Sequence, residues 1–232
     1  MRILLFGGTT EGREEACRLL SAGEDVTVCV TGEYAAALLP AGIRVLAGVM
    51  DEARMEKTMA ELAPQLVVDA THPFAVRATA NIRNAAEKAG IPVRRVVRGT
   101  GEGEWRSACG CVKDAAEAAR ALRRTEGNVL LTTGSHTLSV YAEAADTGRL
   151  WARVLPTVEA LSLCRAAGIP SSHVIAMHGP FSAALNAALY DQLGIRVLVT
   201  KDSGREGGVE EKVLPALERE IHVILIERPE EA

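Results

Sequence analysis

Short apolar runs of mostly Val, Ile and Leu alternate along the chain with longer stretches rich in Ala, Glu and Arg. Runs that short and that continuous belong to parallel strands buried on both faces, and the stretches between them have the length of covering helices. In the first half the pattern predicts strands over 2–6, 26–30, 43–46, 66–69 and 93–97, with helices over 12–21, 33–39, 52–62 and 74–89. From Arg98 to Gly110, four glycines, several charges and Trp105 break the rhythm, as a connection between domains would. A second series then predicts helices over 113–124, 136–145, 157–167, 181–193 and 208–219 around strands over 128–132, 150–154, 173–176, 196–200 and 222–226. The expected class is α/β, with two Rossmann-like domains of mainly parallel sheet over 1–100 and 101–232. The halves share architecture only, without a residue-level repeat of fixed period. Glu230 to Ala232 read as a loose tail.

Composition narrows the function classes. No apolar run approaches the roughly 20 residues of a bilayer span, and the amino terminus enters a strand-like run at once, without the succession of a secretory signal. A soluble, cytoplasmic protein is expected. Cys17, Cys29, Cys109, Cys111 and Cys164 are odd in number and scattered, poor material for a disulfide framework, so reduced thiols are expected. Cys109-Gly-Cys111 is a lone C-x-C without a second pair or a nearby histidine, and no metal is expected. The net charge of −4 provides no general attraction for nucleic acid, and an anionic small molecule would need a locally basic cleft.

The first strand ends in Gly7-Gly8-Thr9-Thr10-Glu11-Gly12-Arg13 and runs straight into a helix, so backbone N–H groups at the helix start can face a pyrophosphate. Gly7 and Gly12 keep the first and sixth positions of G-x-G-x-x-G, while Thr9 replaces the second glycine. A tight turn without a ligand is the alternative. After the second strand come Thr31, Gly32 and Glu33. Glu33 lies about 20 residues past the loop, where a carboxylate can accept from a ribose 2′-hydroxyl and so favour NADH; as an exposed first-turn residue it would have no such role. Asp69-Ala70-Thr71-His72-Pro73-Phe74-Ala75 follows the fourth strand, with Pro73 suited to the first position of the next helix. That places Thr71 and His72 in the crevice where open α/β sheets bind ligands.

The segments 7–13 and 69–75 resemble the two hallmark segments of precorrin-6A reductase and its cobalt-pathway counterpart, enzymes of corrin biosynthesis. The second half continues the likeness with Thr132-Thr133-Gly134-Ser135, Arg153-Val154-Leu155-Pro156-Thr157, Gly179-Pro180-Phe181-Ser182 and Lys201-Asp202-Ser203-Gly204. Together these blocks span nearly the whole chain in family order. The resemblance implies an active site in a cleft between the two domains, the first binding the dinucleotide and the second completing the substrate cleft. It also implies reduction of one carbon–carbon double bond of a corrin-type tetrapyrrole by hydride from NADPH or NADH. Gly7 to Arg13, Thr31, Gly32, Glu33, Thr71 and Pro73 are then candidates to bind the cofactor.

A substrate with many carboxylates calls for spaced cations and backbone donors. The candidates are Arg77, Arg153, Lys201 and Arg205, each of which could equally be a solvated charge, with Phe181 and Ser182, and the turns Gly134-Ser135, Gly179-Pro180 and Ser203-Gly204, whose N–H groups would face carboxylates. Gly207-Gly208 reads as a flexible approach to the last helix. A proton must be added beside the hydride: His72, His178, Lys201, Asp202 and water are candidates, with His72 and Lys201 taken as the catalytic pair. Aromatic residues are only 3% of the chain, too few for a stacking platform under the macrocycle. Two other classes stay open: a redox-independent tetrapyrrole cyclase, against which the glycine loop argues, and a nucleotide-sensing module that binds dinucleotide without turnover. Oligomeric state is open.

Overall fold

The structure is a computed structural model and describes residues 1–96, 103–205 and 207–229. The chain divides into two compact units, Met1–Arg98 and Gly99–Ala232.

In the first unit the strands β1 (Arg2–Phe6), β2 (Asp25–Val30), β3 (Arg44–Ala47), β4 (Leu66–Asp69) and β5 (Val93–Arg95) form a five-stranded parallel sheet in the order β3-β2-β1-β4-β5. Helices α1 (Thr10–Ser21) and α2 (Glu33–Ala37) cover one face through Ala16, Leu19, Ala35 and Ala36. The other face is covered by α3 (Glu52–Leu62) and α4 (Val76–Lys88) through Met55, Met59, Ile82, Ala85 and Ala86. Both faces are therefore dry, which is why Ile3 to Phe6 are apolar without alternation. Burying each such side chain contributes roughly 1.5–3 kcal/mol.

The second unit holds β6 (Gly110–Val112), β7 (Asn128–Leu131), β8 (Leu150–Val154), β9 (Val174–Ala176), β10 (Ile195–Lys201) and β11 (His222–Ile226). They form a parallel sheet in the order β6-β11-β10-β7-β8-β9. Its helices are α5 (Ala115–Leu122), α6 (Leu138–Ala142), α7 (Val158–Ala166), α8 (Ala183–Gln192) and α9 (Val209–Leu217). Among the described residues no helix is long and apolar enough to cross a membrane. The cysteines carry free thiols, with Cys29 and Cys164 buried.

Three expectations need correction. The segment 98–110 is not all connection: Glu104–Ala108 form a 3₁₀ turn, and Gly110 opens β6, which pairs with β11 at the sheet edge. A three-residue Gly-Cys-Val strand is too short to show a period. The helix expected over 136–145 is a 3₁₀ turn, Ser135–Thr137, followed by the short α6. Pro73 does not start α4, since Ala75 is the N-cap and the helix begins at Val76. His72 explains the delay: its Nδ1 accepts from the Phe74 N–H at 3.2 Å and its carbonyl from the Ala75 N–H at 2.8 Å, closing a turn first. Val97, the linker residues 97–102 and the tail 230–232 lie outside the described residues.

Candidate active site

In the first sheet β1 lies between β2 and β4, so the chain order reverses at β1 and the loops after β1 and β4 open side by side. Thr9 joins them: as N-cap of α1 its Oγ1 accepts from the Gly12 N–H at 3.0 Å and donates to the Ala70 carbonyl at 3.1 Å. That is the work of the residue that departs from the glycine pattern. Gly7 and Gly12 are required by packing, since a Cβ on Gly7 would meet Leu5 at 2.8 Å and one on Gly12 the Cα of Gly7 at 3.2 Å. Gly8 is required by conformation, with φ +124°, and only Ala35 lies within 4 Å of the space its Cβ would fill. The exposed backbone at Gly8, next to the start of α1, fits close approach by a phosphate. Glu11 sits in the first turn of that helix, and Arg13 folds back so that its Nη2 donates to Thr10 Oγ1 at 3.2 Å.

Across the switch point, Asp69 is buried and accepts from Arg95 Nη1 at 2.6 Å and from the Thr71 N–H and hydroxyl at 3.0 and 2.8 Å. The same Arg95 nitrogen reaches Thr71 Oγ1 at 2.9 Å. Asp69 and Arg95 therefore fix the peptide that leads into His72. An apolar groove of about 100 Å³ opens here, lined in part by Gly7, Thr31, Thr71, Met50, Met55 and Ile82. It gathers one candidate from each of three separate strand ends. Thr31 and Glu33 are exposed, Glu33 in the first turn of α2, and Arg77 is exposed on α4.

In the second sheet the order reverses between β7 and β10, which pair directly. The Thr-Thr-Gly-Ser block after β7 and the Lys-Asp-Ser-Gly block after β10 therefore meet at one place. Gly134 has φ +87° and open space where a Cβ would stand, and Ser135 follows it in the 3₁₀ turn. Thr133 is buried with its hydroxyl 3.0 Å from that of Thr137.

The Ser203-Gly204 turn differs from expectation, because its backbone donors are spent internally: the Ser203 N–H on the Lys201 carbonyl at 2.7 Å, the Gly204 N–H on Asp202 Oδ1 at 3.3 Å. Asp202 is itself buried and ion-paired to Arg106 Nη1 at 2.7 Å, and the Arg228 Nε donates to its carbonyl. In this frame it acts as a fixed acceptor. Arg106 comes from the stretch that reads as a linker. Gly207 is tightly packed rather than flexible, since a Cβ there would stand 2.3 Å from that of Ser203. Lys201 is half-buried, and burial lowers the proton affinity of its ammonium.

Arg153 is not a solvated charge. It is buried, stacked 4.2 Å over the Phe181 ring, with Nη1 donating to Asn186 Oδ1 at 2.7 Å, and burial holds its pKa below the ordinary arginine value. Asn186, which the sequence reading missed, is fully buried and donates from Nδ2 to the carbonyls of Ser182 at 3.0 Å and Glu211 at 2.8 Å. It thereby ties β8, the start of α8 and α9 into one frame. Lys212, which stands on the predicted last helix as if solvated, is also buried, with Nζ donating to Ser203 Oγ at 3.1 Å. Removing it from water, with the Arg153 charge nearby, brings its pKa down to about 7.

Asn186→Leu should cost about 3 kcal/mol or more in stability, because it strands a buried guanidinium and a carbonyl together. Urea unfolding beside the parent measures it, and a loss under about 1 kcal/mol would show that the frame does not depend on this amide.

Comparison with known proteins bears on the family and the fold. The family described as precorrin-6x reductase CbiJ/CobK matches residues 2–232. A cobalt-precorrin-6A reductase of Priestia megaterium is 37% identical over 98% of this chain and 90% of its own length. Another, of Salmonella typhimurium, is 35% identical over 98% and 87%. A precorrin-6A reductase of Rhodococcus erythropolis is 32% identical over 98% and 89%. The solved structure of a CobK precorrin-6A reductase superposes with a TM-score of 0.82 over 100% of this chain and 90% of that one, at 24% identity, and shows the same fold. With its whole length matched, and with both switch-point loops carrying the blocks that prompted the resemblance, the chain belongs to the precorrin-6x reductase family CbiJ/CobK, oxidoreductases that reduce a carbon–carbon double bond of a corrin precursor.

Proposed function

We propose that this chain reduces cobalt-precorrin-6A, with a nicotinamide dinucleotide bound at the switch point of the first unit and the macrocycle's carboxylates met by the second. The observation that carries the cofactor reading is the groove joining Gly7, Thr31 and Thr71 beside the positive-φ backbone of Gly8. A bound NADPH or NADH supplies the hydride. Gly7, Gly8 and Gly12 with the start of α1 receive the pyrophosphate, while Thr31, Gly32 and Glu33 face the ribose. Thr71, His72 and Pro73 border the same crevice. The Phe74 N–H fixes the His72 ring through Nδ1, with Nε2 the atom through which His72 would act on the proton added beside the hydride. Lys201 is the second donor, its acidity increased by burial. Arg77, Gly134, Ser135, Arg153, Gly179, Pro180, Phe181, Ser182, Ser203 and Gly204 form the substrate side, with Ser203 and Gly204, whose N–H groups are spent internally, shaping it rather than donating to it. The cobalt-loaded substrate is supported by the names of the relatives in Priestia and Salmonella.

Anaerobic turnover with cobalt-loaded and metal-free precorrin-6A, each with both cofactors, tests this. Faster turnover of the cobalt-loaded form is expected, and Glu33→Arg should raise the NADPH-to-NADH ratio of kcat/KM by about tenfold, roughly 1.4 kcal/mol. A preference for the metal-free substrate would overturn the first part. An unchanged cofactor ratio would return Glu33 to the surface of α2.

A further inference from the structure

Two cations are buried in the second unit, Arg153 at 7% exposure and Lys212 at 8%. Their side-chain hydrogen bonds go to neutral oxygens, Asn186 Oδ1 and Ser203 Oγ, and among the described residues neither has an ion-pair partner. Each also acts unfavourably on the other, since the Arg153 charge weakens proton binding at Lys212. Two basic side chains kept out of water with no ion-pair partner among the described residues each lose charge stability through desolvation and mutual repulsion, which the more distant Glu211 and Asp202 carboxylates offset only in part. Replacement by apolar side chains would relieve it. The pair stands where α9 and β8 are joined through Asn186, beside the turns that carry Phe181, Ser182 and Ser203.

We propose that Arg153 and Lys212 form an anion site, filled on binding by a carboxylate of the macrocycle or by a phosphate of the nicotinamide cofactor. Both sources present the same chemistry, a compact oxyanion that compensates the two charges at once. The charged or titratable groups around Lys212 are Arg153 from β8, Asp202 from the end of β10, Tyr190 from α8 and Glu211 on α9 itself. Asp202 is engaged by Arg106 and Tyr190 donates to the Lys212 carbonyl; Glu211 and Asp202 favour the ammonium from a distance, without pairing with it, and burial with the Arg153 charge outweighs them. With a pKa of about 7, the empty site at pH 8 holds Lys212 mainly as the amine. An entering anion favours the ammonium, so one proton from solvent joins the amine as the site fills.

This inference rests on the reading that substrate and cofactor bind here as proposed, and the experiment separates the two. Isothermal titration of the whole protein at pH 8, in buffers of low and high ionisation enthalpy, is run with NADP⁺ in one arm and with cobalt-precorrin-6A without reductant in the other. Proton uptake approaching one per site is expected in one arm, and that arm identifies the source of the anion. Lys212→Met should bind that ligand about ten- to a hundred-fold more weakly and without the uptake. Lys212→Arg, which stays charged, should bind it without uptake, and it decides the matter if the methionine variant does not fold. Binding without uptake in both arms, or uptake that survives in Lys212→Arg, overturns the anion site alone. No binding in either arm removes the wider reading and the site with it.

Discussion

Lys201→Ala should lower kcat/KM by about ten- to a hundred-fold while leaving the protein folded. The ammonium stands at the carboxyl end of β10, at the switch point of the second sheet, where β7 and its Gly134-Ser135 turn lie alongside. Burial makes it more acidic than a surface lysine, as suits a proton donor. One charge-assisted contact in that role contributes about 1.5–3 kcal/mol to transition-state binding. Stability should change little, because the strand is held by Leu198 and Val199 rather than by the lysine at its end. Lys212 does not serve as a surface control, being buried itself; Lys113, exposed in the same unit, does. Equal kcat/KM for Lys201→Ala and Lys113→Ala, or activity lost only through unfolding, would remove Lys201 from the site.

Gly8→Val should weaken NADPH and NADH binding by an order of magnitude or more, about 1.4 kcal/mol at least. Two effects act together. The φ of +124° is one that a β-branched residue adopts only with strain, of order 1–3 kcal/mol, and the added side chain projects into the open space where backbone and phosphate would meet. Since only Ala35 lies near that space, the variant should fold, with a melting temperature lowered by several degrees. Gly42→Val separates the effects: Gly42 has φ +93° and open space around it, so it carries comparable strain away from the loop. Fluorescence titration should show weakened cofactor binding in the Gly8 variant only. Parent-like affinity in both would mean that the dinucleotide site had been assigned to the wrong element.

Much of the fold is legible in the sequence because parallel strands dry on both faces must be short apolar runs, and helix ends carry their own chemistry. The helix expected over 52–62 is found at Glu52–Leu62, since Asp51 accepts from the Arg54 N–H at 2.9 Å and Ala63 ends it with φ +44°. The glycine loop is legible for the same local reason. What lay beyond reading depends on pairing across long stretches of chain. β6 exists because β11 offers an edge, and Arg106 matters because Asp202 turns inward to meet it. Lys212 left a trace, three residues after Val209 within the apolar stripe Val209, Val213, Ala216, and the buried Asn186 and Tyr190 share one face of α8 four residues apart. A period can show that a polar residue faces inward. Only the tertiary structure shows which oxygen waits for it there, because burial of a charge is decided by the elements that close over it and not by its neighbours in the chain.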